Sequence, residues 1–441
     1  MALPTTLARY RSAVIYVKDE AQAGQMVDLA SLSGTDNSFL LTTPPAITQA
    51  GNYTDTNEIG SDLISGARIL NYFEYASFDF EFYAKPHTTA GSFADEHNLL
   101  SNFFGAFTQT NAGAPGDNVT YYWANKMKTM TIANLQATED SRQLFVVSGC
   151  VPTSLGVSLA KDGPVTWSMG ITGNRVYYGG VGEINSKTAG AGANEYKITL
   201  LNPKRYASDS LPYADDIIFD GELVEIIKAD GSSLVADLPV SLTGGTAVSD
   251  FVVTDATDEA ANIVGGGGEY VVPSLPAPTR STTAQVGQQN VRVYLGPQNA
   301  PNDSSANSDL FHSENALNVN SINVDFDRGV TQPALTEMTG DAYPPATYVI
   351  NQPAVSGSFS ALLLPKHFRL PKAIADQPNW ALGIEITAPD GSSNIKMYMP
   401  AVHLEVPTIA ESDGVSQLDV SFNLVAGDKA TDADKFKLIY S

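Results

Sequence analysis

Adjacent acidic residues and five histidines are the side chains of this sequence that could do chemistry. Asp215-Asp216 and Asp258-Glu259 could supply the paired carboxylates of a glycosidase, and the histidines could act as bases or metal ligands. Acidic residues are so common here that such pairs carry little information. The histidines have no His-Glu-x-x-His spacing, and no Gly-x-Ser-x-Gly motif occurs. We therefore expect no catalytic residues, no metal ligands and no cofactor.

Two short stretches resemble ligand-binding loops. Gly265 to Gly268 could cradle a phosphate, but no Lys-Ser or Lys-Thr pair follows it. Asp325 to Gly329 resembles the start of a calcium loop but lacks the downstream bidentate Glu, so it predicts a turn at an edge strand. The single cysteine, Cys150, excludes a disulfide framework and lies in a strand pattern, which predicts a buried thiol.

The composition favours a β-rich protein of two or three domains. The chain has 441 residues, of which 43% are hydrophobic and only 17% are charged. Its net charge of −23 argues against a protein that grips nucleic acid by neutralising phosphates. No apolar run has the length of a signal peptide core or a membrane span, so we expect folding in a cytosol and no membrane partner.

One apolar pattern occurs twice. The alternating apolar residues of Met130 to Thr172 recur in Ala381 to Asn423, 251 positions later and without a gap. A spacing of two is the period of a strand with one buried face. Asp162-Gly163 and Asp413-Gly414 take the same place in both copies, and Asp-Gly favours a hairpin turn. The sequence therefore predicts one β unit twice, with the same strand order in each copy.

Strands upstream of this pattern extend both copies. Ser12 to Lys18 predicts a first strand, and its Ile15-Tyr16-Val17 recurs as Val293-Tyr294-Leu295. Tyr75 to Pro86 alternates aromatic and charged residues, and Val355 to Pro365 is its counterpart. Each copy should therefore bury one face of its sheet and leave the other polar.

One helix is predicted after each of these alternating strands. Ser92-Phe93-Ala94-Asp95 is an N-cap signal that opens a helical pattern as far as Phe107. Phe368 to Asp376 offers at most two turns in the second copy. Each unit should be a small sheet packed with one helix.

Two stretches have no counterpart. Ser31 to Ala67 is a long loop-like connection with an apolar cluster that no strand pattern explains. Residues 206–285 contain thirteen acidic and two basic residues and predict a small, exposed β insertion, preceded by a connector with one strand at Glu195 to Leu201. The predicted domains are residues 1–205, 206–285 and 286–441.

The order of strand, long loop, aromatic strand and helix, followed by Phe145 to Ile171 with its Asp-Gly turn and Trp167, resembles the tail tube domain of long-tailed bacteriophages. With Val402 to Phe422 as the second copy, the chain resembles the duplicated major tail tube proteins of T-five-like siphophages. The resemblance covers roughly residues 12–173 and 291–427. The insertion at 206–285 departs from the family pattern, so its location is open.

The resemblance implies a mainly β (α+β) fold with two tandem β-sandwich or barrel units, each flanked by a helix. It also implies homotrimeric rings with pseudo-sixfold symmetry that stack into a hollow tube in the virion. DNA would pass through without specific binding, and the tape measure, tail terminator and tail tip proteins would be partners. The alternative is a virion or cell-surface β-rich protein that binds carbohydrate or a receptor.

Two sets of residues are the candidate functional positions. The polar faces of the repeated strands are expected to line the lumen, although alternation alone does not say which way a polar face points. The lumen candidates are Asp79, Glu81, Thr166, Ser168, Ser358, Ser360, Gln417 and Asp419. The apolar cluster of the long connection is expected to order on assembly and contact the next ring. The inter-ring candidates are Leu40, Leu41, Pro44, Pro45, Ile47 and Tyr53.

Overall fold

The structure is a computed structural model that describes residues 12–27, 32–34, 38–55, 68–86, 92–110, 118–137, 142–159, 163–179, 182–189, 195–200, 216–217, 223–228, 233–236, 240–241, 248–254, 268–270, 286–333, 343–363, 369–377, 379–391, 393–412, 415–425 and 435–441. The predicted Asp-Gly turns lie wholly or partly outside these residues, as does the glycine run at 265–268 except for Gly268.

Strands dominate the chain, which confirms the mainly β class. The first strands are β1 (Ser12–Asp19), β2 (Ser38–Leu40), β3 (Gly51–Asp55), β4 (Arg68–Phe73), β5 (Ala76–Tyr83), β6 (Gly105–Gln109), β7 (Val119–Trp123), β8 (Met130–Ala137), β9 (Arg142–Leu159), β10 (Thr166–Gly173) and β11 (Arg175–Gly179). The central strands are β12 (Gly182–Ala189), β13 (Glu195–Leu200), β14 (Asp216–Ile217), β15 (Leu223–Lys228), β16 (Ser233–Ala236), β17 (Val240–Ser241), β18 (Val248–Thr254) and β19 (Gly268–Tyr270).

The remaining elements follow residue 286. The strands are β20 (Val291–Pro297), β21 (Ala316–Leu317), β22 (Val319–Asp327), β23 (Val330–Thr331), β24 (Val349–Ile350), β25 (Ala354–Leu362), β26 (Asn379–Thr387), β27 (Asn394–Leu404), β28 (Thr408–Ser412), β29 (Val415–Leu424) and β30 (Lys437–Tyr440). The helices are α1 (His97–Phe104) in the first half and α2 (Leu370–Asp376) in the second, with short 3-10 turns at Gln288–Asn290 and Ser313–Asn315.

Five antiparallel pairings of the first half recur in the second half. In the first half β2 pairs with β1, β1 with β8, β8 with β9, β9 with β10, and β10 with β5. In the second half β21 pairs with β20, β20 with β26, β26 with β27, β27 with β29, and β29 with β25. The order of pairing along the chain is the same in both sets.

β9 belongs to two layers because it changes direction near its middle. Its N-terminal part pairs with β8 and β11, and its C-terminal part pairs with β10 and β22. Gly149, with φ of 61°, lies between these parts and allows the turn without a side-chain clash. In the second half the corresponding stretch is divided into β27 and β28, and Pro407, which has no N–H to donate to a ladder, lies between them.

Apolar side chains from both halves form one core. Phe80, Trp167 and Phe422 are nearly fully buried in the same cluster, and burying a side chain of this size stabilises a fold by roughly 1.5–3 kcal/mol. Phe104 of α1 lies 5.3 Å from Phe436, measured between ring centroids. The first helix therefore packs against residues of the second half.

α1 is shorter than its sequence pattern predicts. It begins after Glu96, which makes no side-chain capping bond, so the N-cap predicted at Ser92 is wrong. It ends because Gly105 adopts the left-handed conformation with φ of 88° and donates its N–H to the Ser101 carbonyl. Phe107 therefore lies in β6 and is 40% exposed.

Strands also join the two halves directly. β9 pairs with β22 over Ser154 to Leu159, and β7 pairs with β30. Within the described residues, 18 strands of both halves are thereby connected by hydrogen bonds.

Arg328, at the end of β22, adds a side-chain lock between the halves. Its guanidinium donates from Nη2 to the carbonyls of Ala124 (2.6 Å) and Lys126 (3.1 Å) and lies 5.1 Å from the centre of the Trp123 ring. The residue is 1% exposed, and burial lowers its pKa to about 10, so it stays charged at neutral pH. A buried cation thus ties the second half to a loop of the first.

A separate six-stranded sheet lies between the halves in sequence. Its strand order is β16, β15, β18, β13, β12, β19. β12 and β13 pair with β19 and β18, so they belong to the sheet of the insertion. The prediction that a connector with a single strand precedes residue 206 is therefore wrong, since both β12 and β13 belong to this sheet.

The long connection at residues 31–67 also contains strands. β2 pairs with β1, and β3 pairs with β4 as a hairpin. Phe39 packs on Phe80 and Phe82, with ring centroids 5.9 and 5.2 Å apart. Strands of three to five residues are too short to give a clear alternation, which is why the pattern did not predict them.

Candidate functional site on the polar face of one sheet

A continuous sheet built from both halves carries the largest set of predicted site residues. Its strands lie side by side in the order β5, β10, β9, β22, β25, β29, β28, where β9 contributes its C-terminal part. We name these seven strands the polar sheet. One of its sides faces the core, and the other is its polar face.

Strand alternation separates the two faces sharply. One ladder across six strands on the core side consists of Phe82, Trp167, Val157, Val324, Gly357 and Phe422. The adjacent ladder on the polar face consists of Glu81, Ser168, Gly156, Asp325, Ser356 and Asn423. Because a one-residue slip would exchange these faces, the buried aromatic side holds the polar side in register.

All eight predicted lumen residues lie on this single face. Five of them are exposed: Asp79, Glu81, Ser168, Ser358 and Asp419. Thr166, Ser360 and Gln417 are half-buried, and Gln417 accepts a hydrogen bond of 3.2 Å from Asn320. The two sequence copies thus contribute to one surface and not to two separate ones.

β22 supplies part of the face that the sequence reasoning missed. Asp325 and Asp327 were predicted in a turn at an edge strand, but they lie in a strand that pairs with β9 on one side and β25 on the other. The turn begins only at Gly329, where φ is 70°. The alternation of Ile322, Val324 and Phe326 with polar residues was the available signal. Further residues of the face that were not predicted are Ser154, Ser158, Ser321, Asn323, Ser356, Ser421 and Asn423.

The polar face combines carboxylates with small hydroxyl and amide side chains. Its acidic residues are Asp79, Glu81, Asp325, Asp327 and Asp419. Over the residues that form the polar sheet, the sequence contains no Lys or Arg. A polyanion passing this surface would meet repulsion and water and would find no cation to pair with.

The predicted inter-ring residues are divided between core and surface. Leu41 and Ile47 pack against the core of the chain itself, Leu40 is half-buried and Pro45 is buried, while Pro44 and Tyr53 are exposed. Removing residues 40–53 would therefore uncover core side chains as well as an exterior loop.

The exposed apolar residues near Tyr53 lie on the hairpin of β3 and β4. Tyr53 is 40% exposed, and Ile69 and Leu70 of β4 are 52% and 36% exposed. Ile69 and Leu70 were not predicted because they lie beyond the loop-like connection, which ends at Ala67.

Titratable groups also meet in a surface cleft of about 560 Å³, whose lining includes Asp19, His97 and Lys128. Burial lowers the pKa of His97 to about 4, with Asp19 acting in the opposite direction, and its Nδ1 lies 2.8 Å from the Tyr121 hydroxyl. Asp19 is paired with Lys128 at 2.8 Å. Each of these three groups therefore already has a partner within the chain. Among the described residues, no group of three or more His, Cys, Asp or Glu side chains could hold a metal ion.

Glu96 is a buried carboxyl at the junction of the two halves. It accepts a hydrogen bond of 2.7 Å from the Tyr440 hydroxyl of β30. Burial raises the pKa of Glu96 to about 7, the repulsion from Asp95 adds to this, and the hydrogen bond from Tyr440 and the charge of Lys85 oppose it. The docking of β30 is thereby coupled to a proton.

Glu96→Gln should stabilise the protein above neutral pH. A carboxyl whose folded pKa is raised contributes stability below its unfolded pKa and loses that contribution as pH rises through the folded value. The rise of the Glu96 pKa from about 4.5 to about 7 corresponds to a loss of about 3 kcal/mol in the free energy of unfolding. Urea unfolding at pH 5 to 9 should show the variant gaining on the wild type by about this amount as pH rises.

The exposed Glu405→Gln variant is the matched control for loss of one carboxylate. His97, whose folded pKa is lowered, costs stability as pH falls from about 6.5 towards 4, but it does so equally in wild type and variant. A stability difference between Glu96→Gln and wild type that stays constant with pH would contradict the coupling.

No protein-family model matches the sequence, and no curated protein is significantly similar to it. Within the described part of the chain, no helix has the length and apolar character needed to cross a membrane.

Proposed function

We propose that this chain is the structural subunit of a bacteriophage tail tube. Three chains form a ring with six similar units, the rings stack into a hollow tube, and the polar face lines the lumen through which DNA is ejected. The observation that carries this proposal is the continuous polar face that both halves build together without a Lys or Arg.

The chemistry of the face suits a conduit. DNA moves quickly through a tube only if no wall residue holds it, and every cation that neutralised a phosphate would release counterions and deepen a local energy minimum. Carboxylates repel the phosphates, and both carboxylates and hydroxyls keep the wall hydrated. The polar face is thus suited to letting DNA pass, whereas a face that bound DNA would slow its ejection.

The strand pairings support the duplicated architecture. The second half repeats the pairing order of the first, and β9 and β22 join the halves into one sheet. A chain that already contains two joined units needs three copies to give a ring of six units, which is a closed arrangement that leaves no sheet edge open.

Electron microscopy of the purified protein tests the proposal. We expect annular particles with a stain-filled centre and threefold symmetry at high protein concentration, together with stacked tubes. A chain that stays monomeric across concentration and ionic strength, or that forms particles without a central channel, would overturn it. Binding to a glycan or receptor array by a monomer would support the adhesion alternative.

A further inference from the structure

β28 ends the polar sheet with an open edge. Its residues pair with β29 along one side, from Thr408 opposite Asp419 to Ser412 opposite Val415. Among the described residues, no strand pairs with its other side. An edge of this kind offers unpaired N–H and C=O groups to another strand.

The first half shows what a strand on this edge would do. β9 has the position beside β10 that β28 has beside β29: Val157 stands opposite Trp167, and Ile409 stands opposite Leu418. On its other side Val157 is covered by Val324 of β22, and it is 3% exposed.

Ile409, in the corresponding place, is 58% exposed, although it stands opposite the buried Leu418 on the core side of the sheet. The missing neighbour explains this exposure. A strand placed beside β28, as β22 is placed beside β9, would bury it.

The chain also contains a segment in the place of β22. β22 lies on the edge of β25, and the segment Thr42 to Thr48 lies on the corresponding edge of β5. The Thr42 N–H donates to the Glu81 carbonyl at 2.9 Å, and Thr48 and Ser77 form an antiparallel bridge. Ile47 is then beside Phe78 of β5, in the same way that Val324 is beside Gly357 of β25. The side chains of Ile47 and Val324 both pack towards the core.

We infer that the open edge of β28 receives the Thr42 to Thr48 segment of a second copy of this chain, so that Ile47 of that copy covers Ile409. This inference rests on the proposed ring and assigns its seam. The segment runs antiparallel to β5, just as β22 runs antiparallel to β25. Its pairing with β28 would therefore be antiparallel, like the pairing of β22 with β9. Ile47, predicted from sequence to contact the next ring, would instead act within one ring.

Cysteine crosslinking tests the seam directly. Chains carrying Ile47→Cys are mixed with chains carrying Ile409→Cys and oxidised, because opposed strand positions are close enough for a disulfide. Cys150, the only cysteine of the natural sequence, is fully buried and adds little background. We expect covalent dimers from the mixture and linked trimers from the double variant.

The control pairs Ile47→Cys with Val349→Cys, which places a cysteine at another exposed apolar position that is 51% exposed. Rings that form normally but crosslink no better than this control would overturn the seam and leave the proposed function standing. A protein that never assembles would overturn both.

A charge at the seam provides a second test. Ile409→Asp should raise the concentration needed for assembly at least tenfold and leave the melting temperature of the monomer unchanged, because the side chain is already mostly exposed. Val349→Asp is the matched control. Assembly of Ile409→Asp at the same concentration as Val349→Asp would contradict the inference.

Discussion

Arg328→Ala should lower the free energy of unfolding by about 3 kcal/mol. It should also weaken the contact between the two halves more than any surface substitution does. The change removes the donor for the carbonyls of Ala124 and Lys126 and the cation over the Trp123 ring, and it leaves a cavity at a position that is 1% exposed. Denaturant unfolding measures the loss, and limited proteolysis should detect opening around β7 and β22.

Two variants make this result specific. Arg328→Lys keeps a charge and an apolar stem but lacks the planar fork, so we expect an intermediate loss. Arg369→Ala removes an exposed arginine beside α2 and should change stability by less than about 0.5 kcal/mol. Equal losses for Arg328→Ala and Arg369→Ala would refute the buried lock.

Replacing Asp79, Glu81 and Asp419 together by Lys should turn the polar face into a surface that holds DNA. All three side chains are exposed, so the fold should tolerate the change. In a three-chain ring the nine lysines would make DNA affinity fall by about 10³-fold or more between 50 and 200 mM salt, because bound counterions are released. The measurements are binding of duplex DNA to tubes and the rate of ejection against ionic strength.

Two matched triples separate lumen charge from total charge. Asp79→Asn, Glu81→Gln and Asp419→Asn remove the carboxylates without adding cations, so ejection should remain fast at every salt concentration. Glu74→Lys, Glu314→Lys and Asp390→Lys add the same charge at exposed positions outside the polar sheet. If the lysines outside the polar sheet slow ejection as much as the lysines at 79, 81 and 419, or if the lysines at 79, 81 and 419 leave ejection unchanged, the lumen assignment is wrong.

The sequence predicted those features that depend on neighbouring residues. The alternation around Phe78 and Phe80 set both the strand and its buried face, since side-chain direction in a strand has a period of two. The same reasoning located the eight polar residues without establishing that they share one surface. That fact depends on β22, whose partners on β9 are more than 150 positions away.

Other features could not be read from local pattern. Nothing near Arg328 distinguishes it from an exposed arginine, because its partners lie in a loop more than 200 positions earlier. α1 begins only at His97, and Glu96 just before it accepts a hydrogen bond from Tyr440, a partner 344 positions away that no local cap signal reveals. The strands β12 and β13 lack a counterpart elsewhere in the chain, so the repeat offered no guide to them.

The contact between Glu96 and Tyr440 can form only after almost the whole chain has been translated. The two residues lie 344 positions apart, and a ribosome adding about 5–20 residues per second needs roughly 20–70 s to cover that distance. For most of this interval β7 has been made but its partner strand β30 has not. An uncovered strand edge on a growing chain is a site for wrong pairing with neighbouring nascent chains on the same polysome. Translation speed over the second half should therefore influence the yield of correctly folded protein more strongly than speed over the first.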